Sequence, residues 1–216
     1  MFIFAKNNMP ATLPGNLLKL EPHLKLRKCP YCSVDTPNFT SNAGFITAAD
    51  NGTNQRQWQV YSCKRCGGVV SAAGPTNTRE VLEVYPSPPT VDDVLPLKVK
   101  TFLQQAMDSI FAPAGSVMLC ASSVDAMLKD KGYSQGSLYK RIEEAIQNGL
   151  LTREMGTWAH QVRLDANDQR HADENADLPT VENAKQAVEF TKTLAEFLYV
   201  LPSKVSRGIA ATQQKP

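Results

Sequence analysis

The chain is 216 residues long with 42% hydrophobic and 20% charged residues, a composition that fills real cores and excludes a wholly disordered polypeptide. Its formal net charge of +2 is unevenly spread: residues 1–89 hold nine Lys or Arg against five Asp or Glu (+4), and residues 90–216 hold fourteen against sixteen (−2). That balance excludes a purely electrostatic nucleic-acid binder, which carries a far more basic surface, and no apolar run of about 18 residues exists to cross a bilayer.

Residues 1–24 contain Pro10, Pro14, Gly15 and Pro22 without periodicity, and read as a poorly ordered or surface-wrapping arm. The apolar start at residues 1–6 is too short for the core of a signal peptide, so the expected compartment is cytoplasmic, where thiols stay reduced. Residues 25–85 are rich in Asn, Thr, Ser and Gly, with short strand-like runs at residues 57–62, 69–72 and 80–85. Within them stand two Cys-x-x-Cys pairs, Cys29 with Cys32 and Cys63 with Cys66, separated by thirty residues. Each pair can close a tight knuckle on one metal ion, and Gly67 and Gly68 give the chain the freedom it needs after the second. Four thiolates suit tetrahedral zinc (Zn2+), and a site with every position filled by protein is structural, because no water remains to be activated. The segment is expected to be a small zinc ribbon of short antiparallel strands.

Near the second knuckle, Trp58, Lys64 and Arg65 can form a ligand-binding patch with Tyr61 that stacks bases and touches phosphates. The plainer alternative is that Trp58 and Tyr61 pack the ribbon's core while Lys64 and Arg65 are solvated. Pro86, Ser87, Pro88 and Pro89 then end strand and helix alike, so residues 86–95 read as a linker and helix entry.

From residue 96 to 209 the pattern is helical. Val99, Phe102, Leu103, Ala106, Met107, Ile110 and Phe111 follow the three-four spacing of one apolar face. Val117, Cys120, Ala121, Val124 and Leu128 repeat it up to Gly132, with Cys120 read as a buried hydrophobe. A third helix runs from a Ser137 cap to Gly149, and a fourth carries Met155, Trp158, Ala159, Val162 and Ala166. A fifth, capped by Thr180 and apolar on a wide surface, reads as the central helix, stopped by Pro202; residues 210–216 read as a disordered tail. Short connections imply an antiparallel bundle of about five helices, and the whole chain an α+β protein.

The fourth helix carries a polar stripe: His160, Arg163, Asn167 and His171 fall within roughly 80° of one another at about 100° per residue. Arg can hold a phosphate with two parallel bonds, a His near neutrality can move protons, and Asn can orient either. A solvated helix face is the ordinary alternative.

Four stretches add a resemblance. They are residues 91–96 (VDDVLP), residues 137–144 (SLYKRIEE), Trp158 with Arg163 through Asn167 to His171, and residues 195–202 (AEFLYVLP). In these, residues 90–209 resemble an uncharacterised domain family, domain of unknown function 4145, attached to restriction endonucleases and phage-defence proteins. That family in turn is similar to the HEPN superfamily of helical nucleotide-binding and ribonuclease domains. The resemblance implies a HEPN-like bundle, a role in nucleic-acid-linked defence, and RNA, DNA, a nucleotide or a defence-system protein as partners. It also implies homodimers whose polar stripes face one another. In an active HEPN ribonuclease, His171 would be the general acid or base, with Arg163 and Asn167 on the phosphate. Here seven residues separate Arg163 from His171, and Ala166 occupies the position before Asn167 where the catalytic Arg is usual. The expectation is therefore a binding or accessory module without strong catalysis. A metal-independent endoribonuclease and a protein-interaction scaffold are the alternatives.

Overall fold

The computed structural model describes residues 18–87, 89–171 (of His171, the backbone) and 177–213. Most of the residues read as an arm, Pro88 of the linker and the last three residues of the tail lie outside that range. The chain divides into two compact units between Thr90 and Val91.

The first unit is a five-stranded antiparallel meander in the order β1-β2-β3-β4-β5: β1 His23–Leu24, β2 Phe39–Thr47, β3 Arg56–Cys63, β4 Val69–Pro75 and β5 Glu83–Tyr85. One face carries the core. Phe39, Tyr61, Cys63, Val70, Ala72 and Val84 point into it, and Leu18, Leu20, Leu24, Leu26 and Val81 close over it. Of the residues read as an arm, Leu18 and Leu20 before β1 and Leu24 within it pack into this core. Tyr61 is fully buried and satisfies its hydroxyl by donating to the Glu21 carbonyl at 2.9 Å. Trp58 lies on the opposite face, since β3 alternates with period two, so the core takes Tyr61 but not Trp58. β2 has a bulge between Ser41 and Ala43, which shifts its register against β3.

The second unit is helical: α1 Leu97–Asp108, α2 Pro113–Asp130, α3 Leu138–Gln147, α4 Arg153–His171 and α5 Val181–Ala195, with a π turn, Glu196–Val200, leading into α6 Leu201–Gln213. Thr180 caps α5 with a complete capping box with Asn183, and Ser137 caps α3 by accepting from the Lys140 amide. The core runs through Val99, Leu103, Val117, Val124, Met127, Leu128, Ile142, Val162, Phe190 and Leu194.

Three details differ from the sequence pattern. The centre of the bundle is α2, which packs against α1, α3, α4 and α5. Its buried surface includes Ser116 and Ser123, polar residues made compatible with burial by donating to the α1 carbonyls of Ala106 and Val99. Helix α1 ends at Asp108, so Phe111 lies beyond it and is 60% exposed. Pro202 does not stop the last helix. The amide of Leu201 reaches back to the Glu196 carbonyl, a wide π turn that relieves the clash of a proline ring with the preceding turn, and the helix continues to Gln213. None of the residues of α6 is buried.

Candidate metal centre and helical cleft

The two knuckles are built by backbone geometry. In the first, the Ser33 amide donates to the Cys29 carbonyl at 3.0 Å; in the second, the Gly67 amide donates to the Cys63 carbonyl at 2.9 Å. Gly67 has φ +72°, a conformation that only glycine takes without strain. Gly68 is required for a different reason: a Cβ there would lie 2.4 Å from the ring of Tyr31, whose hydroxyl donates to the Val69 carbonyl at 2.8 Å. Tyr31 thereby ties the first knuckle to the chain leaving the second.

The result brings Cys29, Cys32, Cys63 and Cys66 together, with all four Sγ atoms within 4.8 Å of one another and no disulfide. A tetrahedron with metal–sulfur bonds of about 2.3 Å sets its sulfurs about 3.8 Å apart. Cys29 Sγ and Cys66 Sγ are 3.8 Å apart, so the donor set fits such an ion. Burial pushes the Cys29 thiol up to about 12, against the amide donors of Cys32 and Tyr31. Burial also acts on Cys63, but the amides of Cys66 and Arg65 outweigh it and bring that thiol down to about 7. A bound cation would draw all four to the thiolate form. Lys64 and Arg65, between the second pair of ligands, are exposed. His23 sits in β1 and is not part of the cluster.

In the helical unit, α2, α3 and α4 enclose a cleft of about 390 Å³, within the range of small-molecule sites. Among its lining residues are Ser122 and Asp125 from α2, Arg141 from α3, and Arg163, Asn167 and Arg170 from α4. Gly156 lets α4 approach α3 closely, because a Cβ there would fall 2.2 Å from Cδ1 of Ile146. Arg141 is the brace of the cleft, its side chain only 11% exposed. It donates to Asp125 Oδ1 at 2.5 Å and to the Gly136 carbonyl at 2.6 Å, so it joins α2 to the turn before α3. Lys129 holds the other oxygen of Asp125 at 2.5 Å.

Arg163 and Arg170 are differently placed. Neither has a carboxylate partner among the described residues; Arg170 donates to Asn167 Oδ1 at 3.3 Å, and the Arg163 guanidinium lies 5.4 Å from the centre of the Tyr139 ring. The Nε of Arg163 is buried without a hydrogen-bond partner. With the Arg141–Asp125 pair neutralised internally, the cleft carries two guanidinium groups, Arg163 and Arg170, without a carboxylate partner among the described residues, beside the amide of Asn167. Donors of this kind can hold an anion.

The stripe read from the sequence is therefore divided. Arg163 and Asn167 share the cleft. His160 is not in its lining: Nε2 meets Glu143 Oε1 of α3 at 2.8 Å and its ring packs 4.9 Å from Tyr139. The side chain of His171 lies outside the described residues. Ser122 and Asp125 of α2 and Arg141 of α3 are not singled out from the sequence, because the period of α4 does not register other helices; Arg170 follows Arg163 by seven residues and falls in the same period. Trp158, read as core, is 43% exposed, with its ring 4.7 Å from that of Phe190.

The fold and its sites define a two-unit protein, a four-cysteine sheet followed by a helical unit with an arginine-lined cleft. The family model of domain of unknown function DUF4145 matches residues 104–212, just over half of the chain, and the chain belongs to that family. No curated protein and no solved structure matches it. No helix among the described residues is long and apolar enough to cross a membrane.

Proposed function

We propose that the protein is a HEPN-like binding or accessory module of nucleic-acid-linked processes, of the restriction or phage-defence type, whose helical cleft holds the phosphate of a nucleotide or nucleic acid. The observation that carries this reading is Arg163, a guanidinium in a cleft of about 390 Å³ with a buried unpartnered Nε and no carboxylate partner among the described residues. An unpaired donor of this kind is costly unless an acceptor arrives, and a phosphate matches the planar fork of an arginine. Arg170 and Asn167 stand where they can take the remaining oxygens. The defence setting rests on the resemblance of residues 90–209 described above.

Zinc fits the four cysteines and acts as a structural staple: Cys29, Cys32, Cys63 and Cys66 fill its coordination sphere, and small sheets with few core residues draw much of their folding energy from such an ion. Binding rather than cleavage suits the described cleft, because His160 is engaged by Glu143, and Asp125 is held by Arg141 and Lys129. The test is equilibrium binding of adenosine monophosphate, of inorganic phosphate and of RNA to the zinc-loaded chain, with Arg163→Ala in parallel. Chelator-resistant RNA cleavage that disappears in His171→Ala would replace this reading by the ribonuclease one, and no binding of any phosphate compound at low salt would favour a protein-interaction scaffold.

A further inference from the structure

The face of the sheet opposite its core carries three aromatic rings in a row. Phe45 of β2 lies beside Trp58 of β3, its cross-strand partner, with ring centroids 6.3 Å apart and planes inclined by 12°. Trp58 in turn lies 6.3 Å from Tyr85 of β5, the planes inclined by 29°. Tyr85 is two strands away and reaches Trp58 because β4 presents only Ser71 and Ala73 between them. Ala73 is 2% exposed and lies on this face rather than in the inner cluster. Phe45 and Tyr85 are themselves 52% and 51% exposed.

The row is held in place at its centre and at one end. The Trp58 indole N–H donates to Thr47 Oγ1 at 2.9 Å, the Tyr85 hydroxyl donates to Glu83 Oε2 at 3.1 Å, and Glu83 takes Arg56 at 2.7 Å. Three large rings outside the core form an apolar patch on this face. Fixed, nearly parallel and equally spaced, they suit a ligand that repeats a flat ring at regular intervals.

We infer that this face binds single-stranded nucleic acid by stacking its bases on Phe45, Trp58 and Tyr85. Charge agrees with that occupant. Residues 1–89 carry nine Lys or Arg against five Asp or Glu, and a zinc tetrathiolate leaves them about two units positive. Lys64 and Arg65 stand exposed past the end of β3, about 20 Å along the strand from Trp58 at about 3.3 Å per residue. The ring row runs across the strands, so these two cations lie to one side of it and add attraction for the phosphates rather than contacts at the rings. Stacking supplies tolerance of sequence, because every base has a π face, and the cations supply salt-dependent attraction. The site lies in the first unit and stands or falls independently of the helical cleft.

The test uses the zinc-loaded full chain and a labelled oligothymidylate of about 12 nucleotides, followed by fluorescence anisotropy at about 50 mM salt. Binding is expected to be saturable, and Trp58→Ala to weaken it about tenfold or more, with Trp58→Phe retaining most of it. Lys185→Ala, on the exposed face of α5 in the other unit, is expected to leave it within about twofold of wild type, and Arg163→Ala, measured in parallel, reports any share carried by the helical cleft. In a Trp158→Phe background the remaining indole is Trp58, and its emission should be quenched by the oligonucleotide. Zinc content and far-ultraviolet circular dichroism check the fold of each variant; should Trp58→Ala lose zinc, Tyr85→Ala and Phe45→Ala carry the same expectation. Undetectable binding, unchanged binding in the ring variants, loss of binding in Arg163→Ala alone, or displacement of the oligonucleotide by a neutral oligosaccharide would each overturn the inference.

Discussion

Replacing Arg141 by alanine removes the brace of the cleft and should destabilise the helical unit by about 2–3 kcal/mol. The side chain is 11% exposed and bonds Asp125 at 2.5 Å and the Gly136 carbonyl at 2.6 Å. Removing one partner of a buried ion pair typically costs about 3–5 kcal/mol, because the other charge is left uncompensated. Here the cost is smaller, since Asp125 is 22% exposed and keeps Lys129 at 2.5 Å. With a urea slope of about 1.5–2 kcal/mol per molar, the midpoint should fall by roughly 1–2 M. The assay is urea unfolding followed by circular dichroism at 222 nm, which reports mainly on the helices. The double variant Arg141→Ala/Asp125→Ala should cost less than the sum of the two single changes, because one interaction is lost once. A loss below about 0.5 kcal/mol for Arg141→Ala, the size of an ordinary surface change, would refute the reasoning and mean that the pair is solvated.

Cys63→Ser should abolish stoichiometric zinc in elemental analysis and unfold the sheet unit, with the helical signal at 222 nm largely kept. Gly68→Ala should lower zinc affinity at least several-fold in a chelator competition, because the added Cβ would meet the Tyr31 ring at 2.4 Å. At alkaline pH both units should lose stability. Burial raises the Tyr61 hydroxyl to about 12; burial and then the neighbouring Asp130 raise that of Tyr199 well above its usual value. A folded-state value above the unfolded 10 stabilises fully below pH 10 and is lost as pH rises beyond it; thermal unfolding at pH 8, 10 and 11 should show the decline, and a flat profile would contradict it.

Much of the architecture was legible in the sequence where a local rule governs it. Two Cys-x-x-Cys pairs force knuckles whatever lies between them, and Ser137 and Thr180 cap α3 and α5 by hydrogen bonds made within a few residues. Where distant residues decide, the pattern is silent. β2 runs through Asn42, Ala43 and Gly44, weak strand formers interrupted by a bulge, and is stabilised by pairing with β3 rather than by its own propensity. Helix α2 is central, and Ser116 and Ser123 on its buried surface donate to α1 carbonyls, a burial that an apolar count cannot register. The cleft was half visible. Helical period placed Arg163 and Asn167 together; that Glu143 would draw His160 away, and that Arg141 and Asp125 would complete the wall, depends on how α2 and α3 pack.

Arg163 is the residue proposed to hold a phosphate. The measurement that tests it most directly is isothermal titration of the zinc-loaded chain with adenosine monophosphate at about 50 and 200 mM salt, repeated with adenosine and with Arg163→Ala. Binding should be saturable for the monophosphate, weaken at the higher salt as a charge-assisted contact does, and be absent or much weaker for adenosine. It should fall about tenfold or more in Arg163→Ala, since a charged hydrogen bond contributes about 1.5–3 kcal/mol. Equal binding of adenosine and its monophosphate, or an unchanged affinity in Arg163→Ala, would contradict the account.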